Sequence, residues 1–342
     1  MVDRPSIRNH ICSPRNVISF LLGLGLLVLT VRSVTTVDVD AVLTSLQEAD
    51  PLWFVAALCL FQGLGIVRSL RWQLLLENVG YTVHGDSRIG SITELTRIIY
   101  LGWFANCVTV ARLGDVYRCS VLHRSTDADI SVTAGTVLTE RIVDIAILVV
   151  ALVATVIVVF WGDVPPAVLQ ATMIGTGLLI VVISGLLVID RAGRSFDRWL
   201  PSRVQRIYRR VRRGTVDSLD RYPQLVGYTA IGWLFEGMTM YLVGVALGVD
   251  LSFGGAFVAA LVGVLLSTIP ITPGGLGVTE AGIALVLGWV GLDPTAVAAV
   301  TICYRLISYW SVVGIGVTVY AIGLWYPISL SVNRRTRSTD QL

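Results

Sequence analysis

Ser267–Gly282 reads STIPITPGGLGVTEAG, and it interrupts a tract, Phe253 to Val290, whose remainder is hydrophobic enough to enter a membrane. A Pro-Gly-Gly run followed by a carboxylate does not continue a lipid-facing helix, because proline removes a backbone donor and glycine favours other conformations. In hydrocarbon every backbone polar group needs an internal partner. Broken backbone is therefore tolerated only where protein or a water-filled cavity surrounds it, and in transporters such places hold the substrate.

The rest of the chain supplies the membrane. Of 342 residues, 54% are hydrophobic and only 14% charged, against about 25% charged in soluble domains. The first apolar run, Val17 to Thr30, continues to Val34 without a small-residue cleavage site, so it reads as an anchor and not a cleaved signal. The five cysteines (Cys12, Cys59, Cys107, Cys119, Cys303) are odd in number and lack metal-ligand spacing; packing residues are expected, with no metal and no cofactor. All 26 basic residues are arginine, which excludes lysine Schiff-base or phosphate-loop chemistry within this sequence.

Charge distribution predicts the topology. Arg4, Arg8 and Arg15 precede the first span, Arg68, Arg71 and Arg88 follow the second, and Arg334, Arg335 and Arg337 close the sequence. The positive-inside rule places all of them, and both termini, in the cytoplasm of a multi-pass cell-membrane protein. Asp38, Asp40, Glu48, Asp50, Asp163, Asp250 and Asp293 lie in the opposite connections. Between Arg191 and Arg221, Val204, Ile207, Tyr208 and Val211 recur at helical spacing among arginines, which predicts an amphipathic helix on the cytoplasmic leaflet. Trp103, Trp161, Trp289 and Trp325 are expected in the interfacial aromatic belts.

Clear spans fall near Val17–Val34, Leu52–Leu70, Val137–Trp161, Val168–Ile189, Leu225–Gly248 and Ala296–Trp325. Two segments remain. Ile92–Ala111 is interrupted by Glu94, Arg97 and Asn106 and has arginines on both flanks, which favours a re-entrant hairpin from the cytoplasm. Phe253–Val290 has acidic flanks and is either a re-entrant hairpin from outside or two full spans. The expected fold is an all-α polytopic membrane protein with about six to eight spanning helices and two re-entrant or broken segments. It forms a single integral membrane domain over 1–342: a first half (1–162), a span plus Arg-rich loop (163–222) and a second half (223–342).

Each irregular segment carries a related string. The first has Arg112, Gly114, Asp115 and Arg118, then Glu140, Arg141 and Asp144; the second has Pro273, Gly274, Gly275, Gly277 and Glu280, then Tyr304 and Arg305. Gly114 to Arg141 and Gly277 to Arg305 are nearly equal separations. With opposite charge flanks, the pair fits an inverted-topology repeat.

These strings, together with Tyr304–Trp310 (YRLISYW), resemble the flippase-like membrane domain of lysylphosphatidylglycerol synthases and its stand-alone relatives. The resemblance covers nearly the whole sequence, and Pro270–Glu280 is its most specific part. The family's first string usually begins with proline, where this chain has Val110. The resemblance implies lipid handling: translocation of an aminoacylated phospholipid in bifunctional relatives, and association with polyprenyl-linked sugar pathways in others. Synthase activity is not carried over, since it resides in a soluble domain and no polar segment here is long enough to be one.

A headgroup crossing hydrocarbon needs a polar track, and each ionised residue there costs about 2.5–3.5 kcal/mol or more unless paired. Arg141 and Arg305 are candidates to clamp a phosphate. Glu140 and Glu280 would neutralise them when the site is empty, though Glu140, Arg141 and Asp144 read equally as a salt-bridge cluster at a helix start. Glu236, near mid-span, is either a site residue or merely hydrogen-bonded. Asp115 and Arg118 read equally as headgroup capture or as a surface pair at the rim, with Arg112 a further binding candidate beside them. Loop glycines would let backbone N–H groups approach the phosphate. The expected partners are membrane lipids and a glycosyltransferase or synthase, with no nucleic acid. The alternatives to a translocase are an accessory subunit of a lipid-linked glycosylation enzyme and an integral-membrane headgroup transferase. Against the last, His10, His84 and His123 do not cluster.

Overall fold

The structure, a computed structural model, describes residues 39–84, 88–109, 113–126, 128–160, 169–170, 172–177, 179–181, 184, 201–268, 272–325 and 331–334. The expected span Val17–Val34, Arg112, Pro270 and Trp161 lie outside these residues, and Val168–Ile189 lies partly outside them.

The described elements are α1 (Val39–Glu48), α2 (Pro51–Asn78), β1 (Tyr81–His84), α3 (Arg88–Val108), α4 (Gly114–Thr126), α5 (Ile130–Phe160), α6 (Ser202–Asp217), α7 (Tyr222–Ala246), α8 (Phe253–Ser267), a 3-10 turn (Pro273–Gly275), α9 (Val278–Trp289), α10 (Pro294–Arg305), a π turn (Leu306–Trp310), α11 (Ser311–Trp325) and β2 (Ser331–Arg334). Helix dominates; the strands form one antiparallel ribbon that pairs Tyr81 with Arg334. Among the described residues four helices are long and apolar enough to cross a membrane: α2, α5, α7 and the continuous run from α10 into α11.

Local chemistry sets the helix ends. Asp50 accepts a hydrogen bond from the Leu52 amide ahead of Pro51, and Asp293 accepts from Thr295 and Ala296 ahead of Pro294. Both are acidic N-caps followed by a proline preset for the first turn. The Asp50 amide also donates to the Ala246 carbonyl at 2.7 Å, so the start of α2 and the end of α7 share one face of the bundle. At the other end, Arg221 reaches Asn78 and Glu77, joining the start of α7 to the end of α2. Two apolar clusters fill these ends, one around α2, α7, α8 and α9, the other around Trp72, Leu75, Leu95 and Leu122.

Phe253–Val290 is a helical hairpin and not two full spans. Its arms, α8 and α9, have 15 and 12 residues, about 22 and 18 Å at ~1.5 Å per residue, short of the ~30 Å hydrocarbon core. They pack on each other from the face shared by Asp50 and Ala246. Its counterpart, α3 with α4, enters from the opposite end, beside β1. The polar residues that interrupt α3 are satisfied internally: Arg97 bridges both Glu94 oxygens at 2.8 Å, and Asn106 accepts from the Gly114 amide at 2.9 Å. Gly114 permits the close approach of α4 to α3, since a Cβ there would lie 1.9 Å from the Gly102 carbonyl oxygen.

The helix that contains the expected span Leu52–Leu70 runs on to Asn78, so Arg68 and Arg71 lie within it, Arg68 about 15 Å from its end. The second half of the amphipathic helix α6 docks on α5 through Gly214 and Gly135, where a Cβ on Gly135 would come within 2.4 Å of the Val211 oxygen. Ser218 and Thr139 hydrogen-bond across this crossing at 2.8 Å, the small-residue packing usual between membrane helices. Val204 and Ile207 in its first half stay exposed.

Candidate functional site

The two hairpin tips meet inside the bundle. In the second, Gly274 (φ 57°) and Gly275 (φ 70°) adopt left-handed backbone, a region closed to most L-residues without strain. A Cβ on Gly274 would lie 2.4 Å from the Tyr309 ring and 3.3 Å from Cys107 at the end of α3. The Tyr309 hydroxyl donates to the Cys107 carbonyl at 3.1 Å. One tyrosine thus touches both tips.

Glu280 organises the second tip. One carboxylate oxygen accepts from the Gly277 amide at 2.6 Å and the other from Arg305 Nε at 2.7 Å. Arg305 Nη2 also donates to the Gly274 carbonyl, and the guanidinium stacks on Tyr309 at 4.8 Å. A π turn, Leu306–Trp310, follows Arg305, a distortion that recurs at functional positions. Tyr304 on α10 donates to Glu236 of α7 at 2.6 Å.

The first half builds a larger charge network. Glu140, 1% exposed, accepts from Arg71 Nη2 at 2.6 Å and from Arg118 Nη2 at 2.7 Å. Arg71 also contacts Asp144, while Arg141 pairs with Asp115 at 3.0 Å and Asp144 at 3.4 Å. Asp115 reaches Arg118 at 3.4 Å. Three arginines and three carboxylates therefore balance, as buried charges must. Arg141 lies 3.8 Å from Glu140, so the carboxylates that chiefly neutralise it are Asp115 and Asp144. Arg71 belongs to this network and was not anticipated; its signal in the sequence was an arginine inside a longer helix.

Between the networks lies a cavity of about 300 Å3, reached by Arg68, Asp115, Arg141, Asp144, Glu236 and Arg305. Gly274, Tyr304 and Tyr309 also border it; Gly114, Arg118, Glu140, Pro273, Gly275, Gly277 and Glu280 stand behind its wall. The amides of Gly114, Gly275 and Gly277 are already engaged, by Asn106, the Thr272 carbonyl and Glu280. Glycine amides at these positions therefore do not form the expected phosphate cradle. Trp103 is likewise no belt residue: it borders the cavity with Trp233, each ring stacked near Arg68.

Such an arrangement defines a polytopic membrane protein with two re-entrant hairpins opposed tip to tip beside a charged interior cavity. The chain belongs to the family described as the lysylphosphatidylglycerol synthase TM region, which it matches over residues 16–316. A UPF0104 membrane protein of Methanocaldococcus jannaschii is 31% identical over 222 residues, 64% of this chain and 94% of that protein. Another from Methanothermobacter thermautotrophicus is 25% identical over 298 residues, 80% of this chain and 86% of that protein. The glycosyltransferase AglD of Haloferax volcanii is 27% identical over 322 residues, 82% of this chain but 50% of that protein.

Proposed function

We propose that this chain moves a phosphate-bearing lipid, a phospholipid or a polyprenyl-phosphate-linked sugar, across the membrane. The observation that carries this reading is the charged cavity at the meeting point of two opposed hairpins. Each hairpin closes one side, and an empty cavity keeps Arg141 and Arg305 neutralised by Asp115, Asp144 and Glu280. An arriving phosphate exchanges with those carboxylates, so the charge count near the bilayer centre stays low at each stage. Asp115, Arg141, Glu236, Gly274, Tyr304 and Arg305 are the residues assigned to this track, while Arg118, Glu140 and Glu280 hold its charged side chains from behind.

The test is fluorescent-lipid scrambling in proteoliposomes, read by chemical quenching of the outer leaflet. Arg305→Ala and Glu280→Ala are expected to abolish scrambling while eluting as the wild type does on size exclusion. Unchanged transport overturns the assignment.

The relation to half of a named glycosyltransferase supports a second reading, in which the chain is the membrane partner of such an enzyme. Co-purification with a glycosyltransferase, together with inert reconstituted protein, would select it.

A further inference from the structure

Three arginines reach the cavity, and two are neutralised: Arg141 by Asp115 and Asp144, Arg305 by Glu280. Arg68 differs. Among the described residues no carboxylate lies within ion-pair distance of it; of the nearby acids, Asp144 pairs with Arg71 and Arg141, and one oxygen of Glu236 accepts from the Tyr304 hydroxyl. The Arg68 guanidinium instead lies over the rings of Trp103 (5.4 Å) and Trp233 (5.9 Å). Stacking satisfies the faces of a guanidinium and leaves its edge of N–H donors to be met.

Arg68 is half-buried, and the cavity is bordered by three residues with a polar atom buried without a hydrogen-bond partner among the described residues: Trp233 Nε1, Thr279 Oγ1 and Ser308 Oγ. An unpaired buried polar atom is costly, so these groups beside one cavity point to a hydrogen-bonding partner that the described residues do not supply. All four residues can donate, and the indole and guanidinium can only donate. The complement is an acceptor-rich anion, and a phosphate with several unprotonated oxygens fits that donor set.

We propose that Arg68, between Trp103 and Trp233, is the seat of the lipid phosphate, with Trp233 Nε1, Thr279 and Ser308 as its further donors. The inference rests on reading the cavity as a lipid site, and it moves the primary anion contact away from Arg141 and Arg305. Those two become exchangeable latches, each already held by the protein's own carboxylates.

Binding to the purified full chain in detergent is measured by tryptophan fluorescence, since both rings border the seat. The probes are farnesyl phosphate and dioctanoyl phosphatidic acid, with farnesol and dioctanoylglycerol as phosphate-free counterparts and inorganic phosphate as competitor. Arg68→Gln is expected to weaken both phosphate lipids about tenfold or more, to the level of the alcohols, with Arg68→Lys intermediate. Binding by Arg68→Gln within twofold of wild type overturns the proposal.

Where Arg68→Gln fails to fold, Trp233→Phe keeps a ring and removes the N–H. It should weaken the phosphate lipids severalfold and leave the alcohols unchanged; equal losses overturn the seat. A preference for one phosphate lipid names the source, whereas inorganic phosphate binding as tightly as either overturns the lipid assignment. Phosphate-selective binding in a wild-type protein that does not scramble lipid keeps the seat and removes the translocase reading. Scrambling with unaltered binding in Arg68→Gln removes the seat alone.

Discussion

Replacing Glu140 by Gln should destabilise the protein by about 3–5 kcal/mol, the range for removing one partner of a buried ion pair. The structure says why. Glu140 is 1% exposed and gives one oxygen to Arg71 at 2.6 Å and the other to Arg118 at 2.7 Å. Glutamine has one acceptor oxygen, so one guanidinium must face an amide NH2, which loses a charge-assisted bond of about 1.5–3 kcal/mol. Two attractions of roughly 4 kcal/mol each, at an effective dielectric of about 20 and ~4 Å, disappear as well. Recovery of the desolvation cost of Glu140 offsets several kcal/mol of that. Equilibrium unfolding by SDS in mixed micelles reads the change. In a double-mutant cycle with Arg118→Met, the double variant should lose less than the sum of the singles by about 1–3 kcal/mol. A loss below 1 kcal/mol for Glu140→Gln, or strict additivity, would refute the picture of a dry, mutually dependent network.

Gly274→Ala should cost at least 1–2 kcal/mol in thermal unfolding, because it combines a left-handed backbone with a Cβ 2.4 Å from the Tyr309 ring. Gly314→Ala, in α11 with nothing within 4 Å of its added Cβ, should be neutral or slightly stabilising; similar losses at both sites would contradict the tip geometry. Tyr309→Phe removes the bond to the Cys107 carbonyl and should cost about 1 kcal/mol. It should also speed amide exchange at the end of α3 and around Gly274, and unchanged exchange would mean that the tyrosine does not join the tips.

Much of the architecture was legible in hydropathy and breakers. The helices beginning at Pro51, Ile130, Tyr222 and Pro294 follow their apolar runs, and the Pro-Gly-Gly string marks a turn. The inner boundaries were less legible, for one physical reason: a hydropathy window scores the cost of an isolated charge and is blind to its partner. Arg68 and Arg71 therefore looked like the cytoplasmic edge of a span, although Arg71 is neutralised by residues 69 and 73 positions away. Trp103 resembled a belt residue because aromatic belts and cation-stacking walls use the same side chain. The docking of α6 depended on Gly135 and Gly214, glycines that carry no periodic signal. Glu280 and Arg305 were legible as a candidate pair, since a lone carboxylate beside a breaker and a deep arginine each demand a countercharge. Their meeting at 2.7 Å is a matter of geometry; their role in transport stands with the proposal above.

Tyr309 also bears on electrical insulation. A polar path wide enough for a headgroup would short-circuit the ion gradients of the cell if it were ever open along its whole length. One side chain contacts Cys107 on one hairpin and Gly274 on the other, so the two tips share a single closing residue. On the translocase reading proposed above, that shared contact is where a seal against ions would sit, since it closes the cavity between the two tips.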